Sequence, residues 1–322
     1  MIYRTLGRTK LEISALGMGT GGHACMGLSD GKTEQEMVEY LKWVHDQGIN
    51  FFDTAPGYGK GRSERILGQA AKEIGRDKLV ISTKIALAGS MPGEPLVLMK
   101  PEDVEASVDE SLARLQTDYI DLMLTAVADE PEYFPPVLQD LFPALQRLRD
   151  KGKIRFIGSS EQTRSDGAHV WLQHALPTDM LDAAMVGHNM LNQSARATVF
   201  PICQERNLGV FNIFTVRNVF SIPERLEEVI RELKDKGVLT EDAVPDTDPL
   251  GWLLEDGECE SLVEAAYRYA AHTPGVTTVM CGTIDRGELE QDIGFIEKGP
   301  LPQASLLRLH ETFGHIAEAV GN

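Results

Sequence analysis

The chain has 322 residues, of which 42% are hydrophobic, and a formal net charge of −18 at pH 7. Its length fits one large barrel or two smaller domains, and a core of that size needs no disulfide bonds. The excess of negative charge repels phosphate backbones and anionic headgroups, so nucleic acid and membrane surfaces are not expected partners.

The predicted elements begin with a hairpin at residues 1–13, which turns at residues 6–8, and a strand at 15–18. A helix is predicted over 33–47 because Thr33 and Glu36 form a capping-box pattern before periodic apolar positions. A second strand at 49–54 is followed by a helix from about residue 63. The continuous apolar segment 78–83 is typical of a strand covered on both faces.

A helix after Pro101 repeats apolar residues at Val104, Val108, Leu112 and Leu115. Further strands are predicted at 119–124, 154–158, 183–186, 209–213 and 276–280. Eight strand–helix units favour an α/β fold with a parallel sheet, and eight strands are the number that closes into a (β/α)8 barrel. A doubly wound sheet would need a G-x-G-x-x-G turn after a strand, and residues 17–21 do not have that spacing. The sequence therefore predicts one barrel domain over residues 1–322, with the hairpin closing its floor.

A long insertion is predicted at residues 216–258, after the seventh strand. It contains an amphipathic helix that Ser221 and Glu224 would open and Gly237 would end. The apolar face of this helix consists of Leu226, Val229, Ile230 and Leu233. Insertions on the active-site face of a barrel usually shape a pocket, and we expect the same here.

The four cysteines are scattered along the chain without a C-x-x-C pair, at Cys25, Cys203, Cys259 and Cys281. This spacing indicates neither a disulfide framework nor a metal cluster, and it favours a reducing compartment. The N-terminal residues carry charges where a signal peptide needs apolar residues, and no stretch approaches the roughly 18 apolar residues of a spanning helix. We therefore expect a cytoplasmic protein.

Three ionisable side chains follow two successive strands and should meet on one rim of the barrel. Asp53 ends the second strand, Tyr58 lies five residues later, and Lys84 ends the third strand. The Asp53 carboxylate would hold the Lys84 ammonium, which would lower the pKa of Tyr58 from its usual value of about 10. A tyrosine adjusted in this way can pass a proton to a substrate oxygen near neutral pH.

Five segments resemble successive signatures of the aldo-keto reductases, in the same order: YRTLGRTKLEISALGMGT, FFDTAPGYGKGRSERILG, ISTK, YIDLMLTA and KIRFIGSS. The resemblance extends from the first residues to about Asp292. It implies a catalytic set in which Tyr58 is the general acid/base, Lys84 its partner and Asp53 the partner of Lys84. The family's fourth member is a histidine after strand four, and here that position is Ala126. Losing one such preorganised donor typically costs roughly 10²–10³ in rate.

The resemblance also implies an NADP or NAD site, with departures from the family pattern. The Ser-Asn pair after strand five corresponds to Ser160 and Glu161, so the carboxamide-binding asparagine is absent. Arg286 could neutralise an adenosine phosphate, whereas Asp285 and Glu288 oppose a 2′-phosphate. The expected cofactor-binding residues are Gly19, Thr20, Gly21, Asp53, Ser159, Ser160, Met185, Ile213, Gly282, Thr283, Arg286 and Asp292.

Ala126 leaves space in the expected substrate pocket, and His23 and His188 are candidates to replace the missing histidine. The alternative interpretation of His188 is a hydrogen-bonded packing residue. The leading hypothesis is an NAD(P)-dependent oxidoreductase that interconverts a small-molecule carbonyl and an alcohol by hydride transfer. Two alternatives stay open: a redox-neutral proton-transfer enzyme (elimination or isomerisation) and a non-catalytic nucleotide-sensing barrel.

Overall fold

Eight parallel strands close into a barrel in the computed structural model of this chain. The structure describes residues 1–21, 26–89, 96–127, 130–161, 165–255 and 258–320. The barrel strands follow one another in chain order, and the last one pairs with the first. This arrangement confirms the predicted (β/α)8 barrel.

Twelve strands occur among the described residues, eight of them in the barrel and four in two hairpins. The hairpins pair β1 (Tyr3–Thr5) with β2 (Glu12–Ser14), as predicted, and β6 (Ala88–Gly89) with β7 (Val97–Leu98). The barrel strands are β3 (Leu16–Gly19), β4 (Phe51–Asp53), β5 (Val80–Ala86), β8 (Ile120–Ala126), β9 (Ile154–Ser160), β10 (Ala183–Gly187), β11 (Gly209–Ile213) and β12 (Thr278–Cys281).

The helices surround the barrel, and some of them are short. A π-helical turn, Val137–Leu141, joins the fourth and fifth helices into one continuous helical stretch. The α-helices of the described residues are α1 (Glu34–Asp46), α2 (Arg62–Ile74), α3 (Asp103–Leu115), α4 (Phe134–Pro136), α5 (Phe142–Asp150), α6 (Val170–Ala175), α7 (Ala195–Thr198), α8 (Phe200–Glu205), α9 (Arg217–Ser221), α10 (Pro223–Asp235), α11 (Leu262–Ala271), α12 (Arg286–Glu297) and α13 (Gln303–Phe313). None of the helices in these described ranges is long and apolar enough to cross a membrane.

The core has two layers because successive strand residues point alternately into the barrel and out towards the helices. The inner layer includes Phe51 and Phe211, whose rings meet edge to face with centroids 5.3 Å apart. Leu6 and Ile13 of the N-terminal hairpin belong to the same inner layer and are fully buried. The hairpin therefore closes the barrel floor, as predicted.

Two helix predictions are confirmed in detail. Thr33 caps α1, with its backbone N–H donating to Glu36 Oε2 at 2.8 Å and its Oγ1 accepting from the Glu36 N–H at 3.2 Å. The predicted apolar face of α3 is buried throughout, at Val104, Val108, Leu112 and Leu115.

The predicted start of the insertion helix is wrong. Ser221 does not cap α10 but ends the preceding helix α9, where its hydroxyl donates to the carbonyl of Arg217 at 2.9 Å. Helix α10 begins instead at Pro223, whose ring fixes a helical φ and whose missing N–H is no loss in a first turn. The predicted buried face of α10 is confirmed, at Leu226, Val229, Ile230 and Leu233.

Gly68 lets α2 pack closely on α3, since an added Cβ would lie 2.5 Å from the carbonyl oxygen of Leu115. We expect Gly68→Ala to lower the free energy of unfolding by about 1–3 kcal/mol, because the added methyl group would overlap backbone atoms of α3 and force the two helices apart. The matched control is Gly294→Ala in α12, where an added Cβ meets nothing within 4 Å. The control should gain about 0.5–1 kcal/mol. Urea unfolding measures both, and equal effects would contradict this packing.

Candidate active site

Asp53 and Lys84 form a buried ion pair where β4 and β5 run side by side. Lys84 Nζ lies 2.5 Å from Asp53 Oδ2 and donates a second bond to the carbonyl of Thr54 at 3.0 Å. The other carboxylate oxygen, Oδ1, accepts from the Ser82 hydroxyl at 2.7 Å. The predicted pairing of this carboxylate with this ammonium is thus present, and both groups are held in one orientation.

Tyr58 lies against the same ammonium. It begins a 3₁₀ turn, Tyr58–Gly61, and Lys84 Nζ lies 5.0 Å from the centroid of the Tyr58 ring. Gly21, after β3, makes room for this ring, because an added Cβ there would lie 2.5 Å from its carbon atoms. The structure therefore brings together the three side chains that the sequence singled out.

The protonation of Lys84 follows from its surroundings. Burial alone lowers the pKa of an ammonium, but the charge of Asp53, the proximity of Tyr58 and hydrogen bonds to both outweigh it. The net effect raises the pKa of Lys84 above its ordinary value. The site consequently keeps a fixed positive charge beside the phenol at neutral pH.

Ala126 ends β8, where it pairs with Ala86 of β5 on one side and Ser160 of β9 on the other. Both β8 and β9 run further than predicted, so Ala126 and Ser160 belong to strands and occupy neighbouring positions on the rim. The methyl group of Ala126 supplies no hydrogen-bond donor at this position. His23, the first candidate to supply one, lies outside the described residues.

His188 is buried outside the barrel wall, between β10 and the helices. Its ring stacks on Tyr269 of α11 with centroids 5.3 Å apart and meets Phe200 of α8 edge to face at 5.1 Å. Nε2 lies 3.3 Å from the Thr273 hydroxyl, and burial lowers the pKa of His188 to about 3. This position does not fit the prediction that His188 lines the substrate pocket. Its side chain faces outward, and it is a neutral packing histidine.

The two serines at the end of β9 face opposite ways. Ser159 points outward and is fully buried, where its hydroxyl accepts from Trp171 Nε1 at 2.6 Å and from the Thr125 hydroxyl at 2.8 Å. Ser160 points into the barrel, 3.4 Å from the sulfur of Met185. Of the two predicted cofactor-binding hydroxyls, only that of Ser160 faces the barrel mouth. Ser159 is used in packing, which corrects the prediction for its side chain.

Glu161 belongs to a buried network that the sequence did not reveal. Its Oε1 accepts from the backbone N–H of Gly187 at 2.6 Å, and its Oε2 lies 2.6 Å from His169 Nδ1. His169 Nε2 lies 2.8 Å from the hydroxyl of Ser194, next to two acceptors, Gly167 O and Asn192 Oδ1. No spacing pattern connects positions 161, 169 and 194.

The single hydrogen of the Ser194 hydroxyl limits the hydrogen bonds that this network can form. The hydroxyl of Ser194 has one hydrogen, and it points to Gly167 O and Asn192 Oδ1. The hydroxyl oxygen is then left to accept a hydrogen bond, which His169 donates from Nε2. The other ring nitrogen of His169, Nδ1, faces Oε2 of Glu161 at 2.6 Å. Burial raises the pKa of Glu161, and His169 and Gly187 oppose this rise only in part. Because Oε1 bonds to Gly187 and Oε2 to His169, both oxygens of Glu161 already have partners inside the protein.

The turn after β12 and the start of α12 carry three of the predicted cofactor residues, Gly282, Thr283 and Arg286. Asp285 caps α12 by accepting from the N–H of Glu288 at 2.9 Å, and the Thr283 hydroxyl donates to the Glu288 carboxylate. Arg286 is the first residue of α12, and its guanidinium lies 4.8 Å from the centroid of the Trp43 ring of α1. Gly282 is exposed, with no atom closer than 3.8 Å to an added Cβ.

The other predicted cofactor positions surround the barrel mouth. Thr20 is fully buried, and its hydroxyl donates a hydrogen bond to the carbonyl of Asp53 at 2.9 Å. Gly19 pairs with Asp53 in the β3–β4 register. Met185 and Ile213 belong to the inner core layer, in which Ile213 is only partly buried. Of these residues, Ile213 is still partly exposed, whereas the hydroxyl of Thr20 is already bonded inside the protein.

Asp292 of α12 is buried beneath the same turn. Burial raises its pKa to about 7, the charge of Glu288 adds to the rise, and a hydrogen bond from Tyr267 opposes it. Between pH 3.8 and about 7 the folded protein therefore keeps a proton that the unfolded chain releases. In this window the free energy of unfolding falls as the pH rises, by up to about 4 kcal/mol.

We expect Asp292→Asn, which cannot ionise, to lack this loss of stability. Urea titrations at several pH values should give similar stabilities for the two proteins near pH 4 and a more stable variant at pH 8. Parallel pH profiles for the variant and the wild type would show that Asp292 is ionised in the folded state.

Comparison with known proteins adds to this geometry. The model of the aldo/keto reductase family matches residues 15–312. The chain is 31% identical over 218 residues to the NADH-specific methylglyoxal reductase of Escherichia coli (strain K12), a match covering 64% of each protein. It thus covers less than two thirds of the length of that relative. It is 26% identical over 307 residues to the L-galactose dehydrogenase of Arabidopsis thaliana, covering 91% of this chain and 87% of that one.

Among solved structures, the chain resembles the holo form of an aldo-keto reductase from Bacillus halodurans, with a TM-score of 0.72 and 23% identity over 98% of this chain and 97% of that one. At this identity the likeness concerns the fold. The match of the family model over most of the chain shows more: this protein belongs to the aldo/keto reductase family.

Proposed function

We propose that this chain is an NAD(P)-dependent oxidoreductase that interconverts a small-molecule carbonyl and an alcohol, with Tyr58 as the general acid/base. The observation that carries the proposal is the position of Lys84, whose ammonium is bonded to Asp53 and lies against the Tyr58 ring. A structural ion pair alone would not require a phenol at this point on the rim. Membership of the family makes reduction of a carbonyl the first reaction to test.

The residues at the barrel mouth fit a nicotinamide dinucleotide. Gly282 leaves open space beside the N-terminus of α12, where backbone N–H groups and the helix dipole favour an anionic phosphate. The hydroxyl of Ser160, which faces the barrel mouth, has the chemistry to bond a carboxamide. The dinucleotide, when bound, supplies or accepts the hydride.

Side chains of this chain would transfer the proton and stabilise the charge that its transfer creates. Tyr58 would donate its hydroxyl proton to the carbonyl oxygen during reduction and take it back during oxidation. The ammonium of Lys84 would stabilise the negative charge that develops on the phenol oxygen, since it is fixed in place before the reaction begins. Asp53 would keep the ammonium in position through its 2.5 Å contact.

Ala126 makes this catalytic set incomplete relative to the family pattern. We propose that it replaces the histidine that would orient a substrate carbonyl, and the space it leaves would admit a bulkier or differently oriented substrate. The insertion at 216–258, including α9 and α10, would shape the outer part of this pocket. The missing donor predicts slow turnover of generic aldehydes, by about 10²–10³ relative to a complete set.

Purified protein with a dinucleotide and a substrate panel tests the proposal directly. The relatives suggest two members of the panel, methylglyoxal with reduced cofactor and L-galactose with oxidised cofactor. Turnover should appear as a change in nicotinamide absorbance at 340 nm. If neither dinucleotide binds, measured through the fluorescence of the three tryptophans, the proposed function is wrong.

A second candidate is a redox-neutral proton transfer, such as elimination or isomerisation, by Tyr58 and Lys84. It is favoured by Ala126 together with the engagement of both oxygens of Glu161 with Gly187 and His169. This candidate predicts conversion of substrate, detected by chromatography, without net change in nicotinamide absorbance. A nucleotide-sensing barrel predicts dinucleotide binding without conversion of any substrate.

A further inference from the structure

We propose that Ser82 is a positioning residue, whose hydroxyl fixes the Asp53 carboxylate and thereby the Lys84 ammonium. This inference rests on the proposed function, because it assumes that the ammonium must face the phenol of Tyr58 for proton transfer. Ser82 is fully buried, so it would act through Asp53 and would not touch a substrate.

Packing alone does not explain a hydroxyl at position 82. Along β5, Val80, Ser82 and Lys84 point into the barrel, since successive strand residues alternate between the two faces. On the neighbouring strand Ser82 pairs with Leu122, which belongs to the apolar inner layer. A hydroxyl taken from water into such a layer costs free energy unless it is hydrogen-bonded. The bond to Asp53 Oδ1, at 2.7 Å, meets that requirement.

The two oxygens of the Asp53 carboxylate are bonded by two residues of the same strand. Oδ1 accepts from the Ser82 hydroxyl at 2.7 Å, and Oδ2 accepts from the Lys84 ammonium at 2.5 Å. The terminal torsion of an aspartate has broad minima, so one donor alone would let the carboxylate turn. Two donors on different oxygens hold it in one orientation, and charge-assisted bonds of this kind are roughly twice as strong as neutral ones.

The orientation of the carboxylate determines where the ammonium points. An ammonium has three N–H donors, and Lys84 gives one to Asp53 and a second to the carbonyl of Thr54 at 3.0 Å. The tetrahedral nitrogen then fixes the direction of the third, on the side of Tyr58, whose ring centroid lies 5.0 Å from Nζ. A carboxylate that turned would therefore turn the ammonium as well.

Ser82→Ala removes the side-chain bond and keeps the backbone, where the carbonyl of residue 82 accepts from the Thr54 N–H at 2.9 Å. We expect kcat to fall by about 10–100-fold, because a catalytic group misplaced by 1 Å can cost about 10² in rate. KM and dinucleotide affinity should stay nearly unchanged, since Ser82 would contact neither ligand.

Two conservative variants grade the effect. Ser82→Thr keeps a hydroxyl on the Cβ atom and should restore most of kcat. Ser82→Cys keeps the size of the side chain with a weak S–H donor, and its kcat should lie between those of the alanine variant and the wild type. Wild-type kcat in both Ser82→Ala and Ser82→Cys would overturn the inference, as would a loss that appears in KM alone.

Ser14→Ala is the matched control. Ser14 is also fully buried and donates its hydroxyl proton at 2.7 Å, but to the carbonyl of Leu16 near the barrel floor. This variant should keep the kcat of the wild type. If it lost as much activity as Ser82→Ala, the loss of any buried hydrogen bond would explain the result, and the inference would be overturned.

A stability cycle tests the contact without any turnover. Ser82→Ala should lower the urea midpoint of the wild type, because it leaves Asp53 Oδ1 buried without this donor. In the variant Asp53→Leu/Lys84→Met the carboxylate is absent, so removing the hydroxyl should leave the midpoint unchanged or raise it. An equal loss in both backgrounds would overturn the inference. A wild type that converted no substrate would overturn the proposed function, whereas the cycle would still support or overturn the contact on which the inference depends.

Discussion

Tyr58→Phe should lower kcat by about 10²–10⁴, because the variant keeps the ring but loses the proton that reaches the substrate oxygen. The rest of the site should keep its arrangement, since the ring fits against Gly21 and lies beside Lys84 through its carbon atoms. Steady-state rates with the best substrate of the panel measure the loss. Dinucleotide affinity should be nearly unchanged, which separates the loss of a catalytic proton from the loss of a binding site.

Tyr119→Phe is the matched control for this experiment. Tyr119 precedes β8 at the opposite end of the barrel, where the guanidinium of Arg76 stacks on its ring at 4.1 Å from the centroid. Phenylalanine keeps that ring, so activity should stay near that of the wild type. If Tyr58→Phe turned over substrate as fast as this control, Tyr58 would not be the general acid/base.

Lys84→Met should affect both activity and stability. It removes the positive charge beside Tyr58, and it leaves the carboxylate of Asp53, 4% exposed, without its partner. An uncompensated buried charge of this kind costs about 3–5 kcal/mol of folding free energy. Urea unfolding measures the loss of stability, and turnover with saturating dinucleotide measures the loss of activity.

The double variant Asp53→Asn/Lys84→Met separates the two effects. Replacing both charges leaves no buried ion, and the side-chain carbonyl of asparagine can still accept from Ser82. Stability should therefore return towards that of the wild type, while activity stays low because the ammonium is still absent. Recovery of activity along with stability would show that Lys84 acts only by keeping the site folded.

Lys151→Met is the control for the loss of a paired lysine at the surface. Lys151 lies 2.7 Å from Glu105, but half of its side chain is exposed and solvent screens the pair. Little change in stability is expected. A loss as large as that of Lys84→Met would contradict the assignment of the Lys84 effect to burial.

The sequence by itself predicted the barrel and the meeting of Asp53, Tyr58 and Lys84. Parallel strands place all their C-terminal ends on one rim, so residues that leave successive strands become neighbours whatever the details of packing. The capping box of α1 and the buried face of α3 were predictable for a similar reason, because both depend on residues within a few positions of one another.

Features that depend on the direction of a single side chain were not predictable. Alternation along a strand sends neighbours to opposite faces, so Ser159 packs against Trp171 while Ser160 faces the barrel mouth. The same alternation places His188 among the helices. Without the register and the end point of each strand, the sequence could not distinguish a rim residue from a packing residue.

Partners contributed by distant elements were decided only by the tertiary structure. The network of Glu161, His169 and Ser194 joins three segments that share no sequence pattern. The guanidinium of Arg286 likewise contacts the ring of Trp43, a residue far away in the sequence. Local propensity and periodicity act over a few residues and therefore determine the elements and their order. The contacts of buried polar groups depend on how those elements pack, because a buried donor or acceptor takes whichever partner the finished fold brings within reach.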